Sequence, residues 1–329
     1  MGKRQSPMES LVIKVRILIT GGAGFIGANL VHHFASIGND VIATQRQKER
    51  GWRLKDLKDI DISILDITKR AEVFEELKSL KPEVVIHTAC YGAYHFETER
   101  YKIVRTNLMG TINLVDASID SGAKLFINTG TSSEYGIKDE SMAEADAISP
   151  DTDYSVSKAL ATEYCSYKRE SETKVVTLRL FSAYGYYEEK HRLVPYLLYS
   201  AIKKRKAELS SLDNVRDFVF IDDIKTAYEK TINAIPKIAN GSVFNVGTGT
   251  EHTISDVVGS INGLEVEINK GKRMKETIKH WHADINKSSK FFGWYPKTSL
   301  KEGLDKTRAW MEKNVGLYED VSNEKPKRA

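Results

Sequence analysis

The chain has 329 residues, of which 41% are hydrophobic and 29% charged, and its formal net charge is +4. That is enough chain to bury a large core in one big domain or two closely joined ones, with the composition of an ordinary soluble protein. So small a net charge gives no case for nucleic acid, and two cysteines, Cys90 and Cys165, provide neither a disulfide framework nor zinc spacing. Both cysteines sit in apolar stretches that read as core, and a reduced, cytoplasmic setting is expected. Residues 1–10 are polar and basic with no apolar centre behind them, and no long apolar span occurs, so no membrane association is expected.

In chain order, apolar runs at residues 15–19, 41–44, 62–65, 84–88, 125–128 and 175–180 read as strands, with helical patterns between them. The alternation predicts an α/β fold, a doubly wound parallel sheet with helices on both faces. The first strand runs into Thr20-Gly21-Gly22-Ala23-Gly24-Phe25-Ile26-Gly27 and a helix over residues 25–36. Strand, glycine turn and helix in that order make a Rossmann cradle for dinucleotide phosphates, with Gly21, Gly24, Phe25, Ile26 and Gly27 facing the cofactor. Gly22 is expected to permit the tight turn, Gly24 to let the backbone approach a pyrophosphate, and Gly27 to let the helix lie close on the sheet.

The end of the second strand sets the cofactor. An acid there would bind a ribose 2′-hydroxyl, whereas an arginine accommodates a 2′-phosphate. The chain reads Thr44-Gln45-Arg46-Gln47-Lys48, so NADP(H) is preferred, with Arg46 on the phosphate. The alternative is a solvated basic loop, with NAD(H) bound through Gln45.

After residue 180 the pattern loosens. A helix at about 194–207, strands near 218–221 and 243–246, and a Gly/Lys-rich stretch near 270–275 suggest a smaller C-terminal substrate-binding α/β region. Residues 11–180, with returning segments at about 213–250, are expected to form the dinucleotide-binding domain, and 181–212 with 251–314 the substrate-binding region. Residues 1–10 and 315–329 are expected to be flexible. Lys203-Lys204-Arg205-Lys206 would end the long helix and complement its dipole. His280 and His282 flank Trp281 without a third ligand type, so no metal is expected. Tyr91, Tyr94 and His95 follow the fourth strand, where ligands gather in open sheets, and are either sugar-facing or packed.

Tyr154-Ser155-Val156-Ser157-Lys158 places a phenol and an ammonium four residues apart, on one face of a helix. A free phenol has a pKa near about 10, too high for efficient proton transfer at neutral pH. A nearby ammonium and an oxidised nicotinamide ring are expected to lower it, with Thr131 adding a hydroxyl hydrogen bond to the same substrate oxygen.

At this point the chain resembles the extended short-chain dehydrogenase/reductase family, the nucleotide-sugar epimerases, dehydratases and reductases. The stations run in order over residues 15–311: the glycine turn, Asp66-Ile67, Val85-Ile86-His87-Thr88-Ala89, Asn107, residues 131–136, and Tyr154 with Lys158. They continue through Arg179-Leu180-Phe181-Ser182-Ala183-Tyr184-Gly185, Arg216-Asp217-Phe218, Phe244-Asn245-Val246-Gly247 and Gly293-Trp294-Tyr295-Pro296.

The resemblance implies that Asp66 and Ile67 flank the adenine and that Thr88, Ala89 and Cys90 line the path to the nicotinamide riboside. Asn107 would steady the helix beside the site, and Phe181, Tyr154 and Lys158 would complete the cofactor contacts. Tyr91, Ser132, Ser133 and Ser182 would face the substrate, with Tyr184 bordering nicotinamide and sugar, and Arg216 would meet the substrate pyrophosphate. Apart from the family, Arg216 reads as a surface ion pair with Asp217 or Asp222, and Asp222 and Asp223 as helix caps.

Departures from the family pattern bear on the reaction. Family 4,6-dehydratases follow the threonine with an acidic pair or a glutamate two places on, where this chain has Ser132 and Ser133, with Glu134 one position later. Serine cannot do carboxylate work at neutral pH. The loop resembles that of nucleotide-sugar 4-ketoreductases, where a glutamate precedes Tyr-Gly, although Glu134 as a solvated carboxylate fits equally. The expected activity is hydride transfer to C4 of a nucleotide-activated 4-keto-6-deoxy sugar, with catalytic Thr131, Tyr154 and Lys158. The alternatives are a C4-epimerase with tightly bound NAD and a catalytically silent cofactor-binding sensor. The family also implies a homodimer through a four-helix bundle built from helices near residues 107–121 and 154–170.

Overall fold

The computed structural model describes residues 14–46, 51–94, 96–269 and 278–319. Lys48, His95 and the Gly/Lys-rich stretch at 270–275 lie outside them. Strands β1 (Arg16–Thr20), β2 (Asp40–Gln45), β3 (Asp61–Ile64), β4 (Val84–His87), β5 (Leu125–Thr131) and β6 (Lys174–Leu180) alternate with helices. The helices are α1 (Phe25–Ser36), α2 (Arg70–Leu80), α3 (Arg100–Val104), α4 (Gly110–Asp120) and α5 (Asp153–Tyr167), with a π turn at Arg105–Met109 between α3 and α4.

Next come β7 (Ser182–Tyr184), α6 (Leu193–Ile202), β8 (Ala207–Leu209), β9 (Val215–Arg216), β10 (Phe218–Phe220) and α7 (Ile221–Asn233). The chain then returns to the main sheet as β11 (Ser242–Val246). It ends through β12 (His252–Thr253), α8 (Ile254–Gly259), β13 (Val266–Ile268), α9 (Asn286–Phe292), α10 (Leu300–Lys313) and α11 (Gly316–Glu319).

The seven-stranded sheet has the order β11-β6-β5-β4-β1-β2-β3, and every pairing in it is parallel. Parallel sheets need cover on both faces, and the side chains alternate accordingly. Ile17, Ile19, Val84, Ile86, Leu125 and Ile127 pack with Leu30, Val31 and Phe34 of α1 on one face. Leu18, Ile42, Val85, Phe126 and Val175 pack with Val73, Leu77, Leu114 and Val115 of α2 and α4 on the other. The pairs β7/β10, β9/β12 and β8/β13 form small separate sheets in the C-terminal part.

Two expectations need correction. The helix anticipated to residue 207 stops at Ile202, because Lys204 turns left-handed at φ 51° and the Lys204 and Arg205 N–H groups donate back to Ala201 and Ser200. That is a Schellman ending with lysine where glycine is usual, and Ala207 already belongs to a strand paired with Val266. The basic run is therefore a turn, not the last turn of a helix. Residues 316–319, within the segment expected to be flexible, form α11, and Tyr318 is buried with its hydroxyl donating to the Glu188 carbonyl at 3.1 Å.

Candidate active site

The strand order reverses between β1 and β4, and a cavity of about 870 Å³ opens beyond their carboxyl ends. On its β1 side the glycine turn approaches the sheet closely. Gly21 carries the left-handed conformation at φ 68°, so it, rather than Gly22, makes the tight turn. A Cβ on Gly27 would sit 2.2 Å from the Gly21 carbonyl oxygen, which explains why α1 can lie this close. Gly24 caps α1 with extended backbone and no side-chain hydrogen bond, and the first turn has no acid. The open N–H groups at that helix start form an anion cradle. Beyond it Gln45, Arg46, Leu65 and Ile67 line one end of the cavity.

Thr131 ends β5 and begins a short 3-10 turn whose capping box sets its direction. Its N–H donates to Glu134 Oε1 at 2.9 Å, while its hydroxyl accepts from the Ser133 N–H at 3.3 Å. Tyr154 stands in the first turn of α5, started by a second capping box between Thr152 and Ser155. Thr131 and Tyr154 face the same cavity, where the Thr131 hydroxyl pulls the phenol's pKa down, and Lys158 reaches that cavity one turn further along. Burial pushes the Tyr154 phenol up, Cys90 adds to this, and Arg192 and Thr131 pull the other way. The lowering expected from the neighbouring ammonium is thus not found. Burial outweighs the cations, and the cation acting on the phenol is Arg192.

Glu134 is no solvated carboxylate. It is fully buried, with Oε2 2.7 Å from Arg179 Nε and Oε1 accepting from the Thr162 hydroxyl at 3.1 Å. Ser132 and Ser133 instead face the cavity, and the Trp281 indole N–H donates to the Ser132 hydroxyl at 3.2 Å. The Arg216 guanidinium lies 5.1 Å from the Trp281 ring centre. Its anticipated partner Asp217 accepts instead from Thr248, Gly249 and Ala283, and Asp222 pairs with Lys225.

The sequence matches the NAD dependent epimerase/dehydratase family over residues 17–247. The chain belongs to that family. It is 25% identical to a dTDP-glucose 4,6-dehydratase of Shigella flexneri, over 94% of this chain and 96% of the relative. It is 24% identical to a UDP-glucose 4-epimerase of Bacillus subtilis, covering 93% and 99%. The crystal structure of the Bordetella bronchiseptica enzyme WbmG in complex with NAD and UDP superposes with a TM-score of 0.80 at 26% identity, covering 94% and 96%.

In this epimerase/dehydratase-family enzyme, most residues singled out from sequence line one cavity: Gly21, Gly24, Phe25, Ile26, Gly27, Gln45, Arg46, Ile67, Thr88, Ala89 and Cys90 among them. Thr131, Ser132, Ser133, Tyr154, Lys158, Phe181, Ser182 and Arg216 join them. Cys90, read as core, is exposed there. Four residues stand behind the wall instead. Asp66 accepts the N–H and hydroxyl of Thr68, an Asx turn; burial raises its carboxyl, but those bonds and Arg46 bring it below the usual range. Asn107, on the π turn, is buried and clamps the Tyr91 backbone through both N–H and C=O while donating to Ser157. Tyr91 sends its phenol to Glu99, and Tyr184 donates to the Leu300 carbonyl in the core.

Sequence reasoning missed Trp281, Glu188 and Arg192 as cavity residues. For Trp281 a signal existed. His280 and His282 both contact the Glu251 carboxylate, which also accepts the Trp281 main-chain N–H at 2.9 Å, so the histidines flank the carboxylate that holds the Trp281 backbone.

Proposed function

We propose that this enzyme is an NADP(H)-preferring reductase of a nucleotide-activated 4-keto-6-deoxy sugar, with reduction at C4 and Tyr154 as proton donor. The observation that carries the reading is Thr131 and Tyr154 on one cavity wall beside Ser132 and Ser133, while the glutamate next to Thr131 is locked in an ion pair with Arg179. Water elimination needs a carboxylate beside that threonine, and Glu134 is unavailable for it.

The residues present fit a dinucleotide. Gly21, Gly24, Phe25, Ile26 and Gly27 would hold its phosphates where a Cβ at the turn would clash, and Leu65 and Ile67 the adenine. A bound nicotinamide ring supplies the hydride. Lys158 would bind the ribose, with Arg192 the cation acting on the phenol; Thr131 would hold the substrate oxygen; Arg216, stacked on Trp281, would take the substrate pyrophosphate. Cofactor choice follows from β2, which ends in Gln45 and Arg46 without an acid, leaving a guanidinium at the cavity for a 2′-phosphate. The substrate class draws support from the family and from the UDP bound by WbmG. A homodimer is supported by the exposed apolar side chains Tyr101, Val104 and Met109 beside Val156 and Leu160 of α5.

The test is titration with NADPH and a 4-keto-6-deoxy sugar nucleotide, following absorbance of the reduced nicotinamide. Its consumption, matched by one reduced sugar per NADPH, is the expected result. Redox-neutral interconversion of nucleotide hexoses with catalytic NAD would make the enzyme an epimerase, and binding without turnover of either kind a sensor.

A further inference from the structure

Glu188 lines the cavity from the turn between β7 and α6, and the reduction proposed above gives it no part. It is 4% exposed, and its Oε2 is buried with no hydrogen-bond partner among the described residues. The charges around it are largely committed. Arg192 Nε stands 3.7 Å from Oε1, an ion-pair contact beyond hydrogen-bond length. Arg53 pairs with Glu189 at 2.9 Å and also donates to the Tyr187 and Ala23 carbonyls. The Tyr318 hydroxyl donates to the Glu188 main chain and the Tyr184 hydroxyl to Leu300. The Gly185 N–H faces the carboxyl, and Glu189 adds like charge.

A buried carboxyl so placed resists ionisation. Burial pushes Glu188 up to about 8, against the pull of Arg192, Gly185 and Arg53. A neutral acid carries an O–H, and a buried donor calls for an acceptor.

Its loop is latched to the cofactor cradle. Arg53 ties the Tyr187 carbonyl to that of Ala23 in the glycine turn, and Asn29 of α1 donates to the Tyr186 carbonyl at 2.8 Å. Glu188 thus lines the same cavity as the glycine turn, where a bound phosphate would supply an acceptor. We propose that Glu188 belongs to the dinucleotide site as a neutral carboxylic acid whose O–H donates to a pyrophosphate oxygen of the bound cofactor. The proposal rests on the dinucleotide reading of the cavity, but not on the sugar or the reaction.

The sign of its pH dependence follows. Ligand phosphate charge favours the protonated acid, so Glu188 titrates higher in the complex than in the free protein. Affinity is then full below the free value and is lost as pH rises through it, by about tenfold per pH unit for one proton.

The experiment is calorimetric titration of the full chain with NADPH between about pH 6.5 and 9.5, in buffers of different ionisation enthalpy. Wild type is expected to hold constant affinity up to about pH 8, then weaken with net proton uptake. Glu188→Gln, which keeps a neutral donor, is expected to bind with a flat profile and no linked proton. Glu188→Ala is expected to lose about tenfold in affinity at pH 7. Thermal unfolding checks each variant, and Glu188→Gln suffices where Glu188→Ala does not fold. Tight binding with parallel wild-type and Glu188→Gln profiles overturns the proposal alone. Absence of binding by NADPH and NADH at every pH overturns both it and the cofactor assignment.

Discussion

Glu134 and Arg179 meet inside the wall of the site, with side chains 0% and 3% exposed. Burial raises the Glu134 carboxyl while Arg179 opposes that, and burial works against the Arg179 charge while Glu134 and Tyr135 more than restore it. Breaking one partner of a buried pair costs more than the pair contributes, because the survivor keeps its charge without compensation. Glu134→Gln should destabilise the fold by about 3–5 kcal/mol, read from denaturant unfolding. Adding Arg179→Met should recover part of that loss, whereas a solvated Glu134 would give almost no effect in either variant. Tyr154→Phe is the opposite kind of change. Its fold should survive and its kcat should fall by about 100- to 10,000-fold, with cofactor affinity retained. Arg46→Ala should weaken NADPH by about tenfold or more and leave NADH nearly unchanged, compared by fluorescence titration. Equal losses for both would make Arg46 a general phosphate or adenine contact.

At the scale of elements, the parts legible in sequence were those with short-range causes. The turn from β1 to α1 was readable because glycine spacing, an apolar strand and an apolar helix face coincide within twenty residues, and α1 begins and ends where the pattern put it. Tyr154 and Lys158 were readable because helical spacing alone puts them on one side. The reasons for other placements are long-range. No local pattern says that Asn107 will clamp the Tyr91 backbone, that Glu134 will find Arg179 on the next strand, or that Glu251 will brace Trp281. The Lys204 turn misled for a different reason, since the left-handed residue is not the glycine that usually announces it. The close approach of α1 makes a sharp prediction. Gly27→Ala would place a methyl 2.2 Å from the Gly21 oxygen and 2.8 Å from the Thr88 hydroxyl. The helix must lift, so stability should fall by about 1–3 kcal/mol and dinucleotide binding should be lost in a protein that still folds by circular dichroism.

The whole molecule brings the site together from distant stretches of chain, and one surface remains to be accounted for. Tyr101 is 78% exposed, Leu160 48%, Met109 46%, Val156 40% and Val104 39%, and all belong to α5 or to the α3–α4 segment packed beside it. Exposed apolar residues scattered singly need no explanation, but a stripe shared by two adjacent helices does. Set against its own copy about a twofold axis, each pair of helices would cover the other in a four-helix bundle, an isologous contact in which every residue of the stripe is used twice. The same helices carry Tyr154 and Lys158 on α5 and Asn107 on the π turn, so covering the stripe would also hold the cavity-lining face of α5 in place. Wild type should therefore sediment as a dimer in analytical ultracentrifugation. Leu160→Glu puts two like charges near the twofold axis in an apolar contact, so it should shift the protein to monomer at micromolar concentration. Because dimerisation stabilises the fold by mass action, its melting temperature should also lose the concentration dependence of wild type. A monomeric wild type with the same sedimentation as Leu160→Glu would leave this stripe without a self-complementary role.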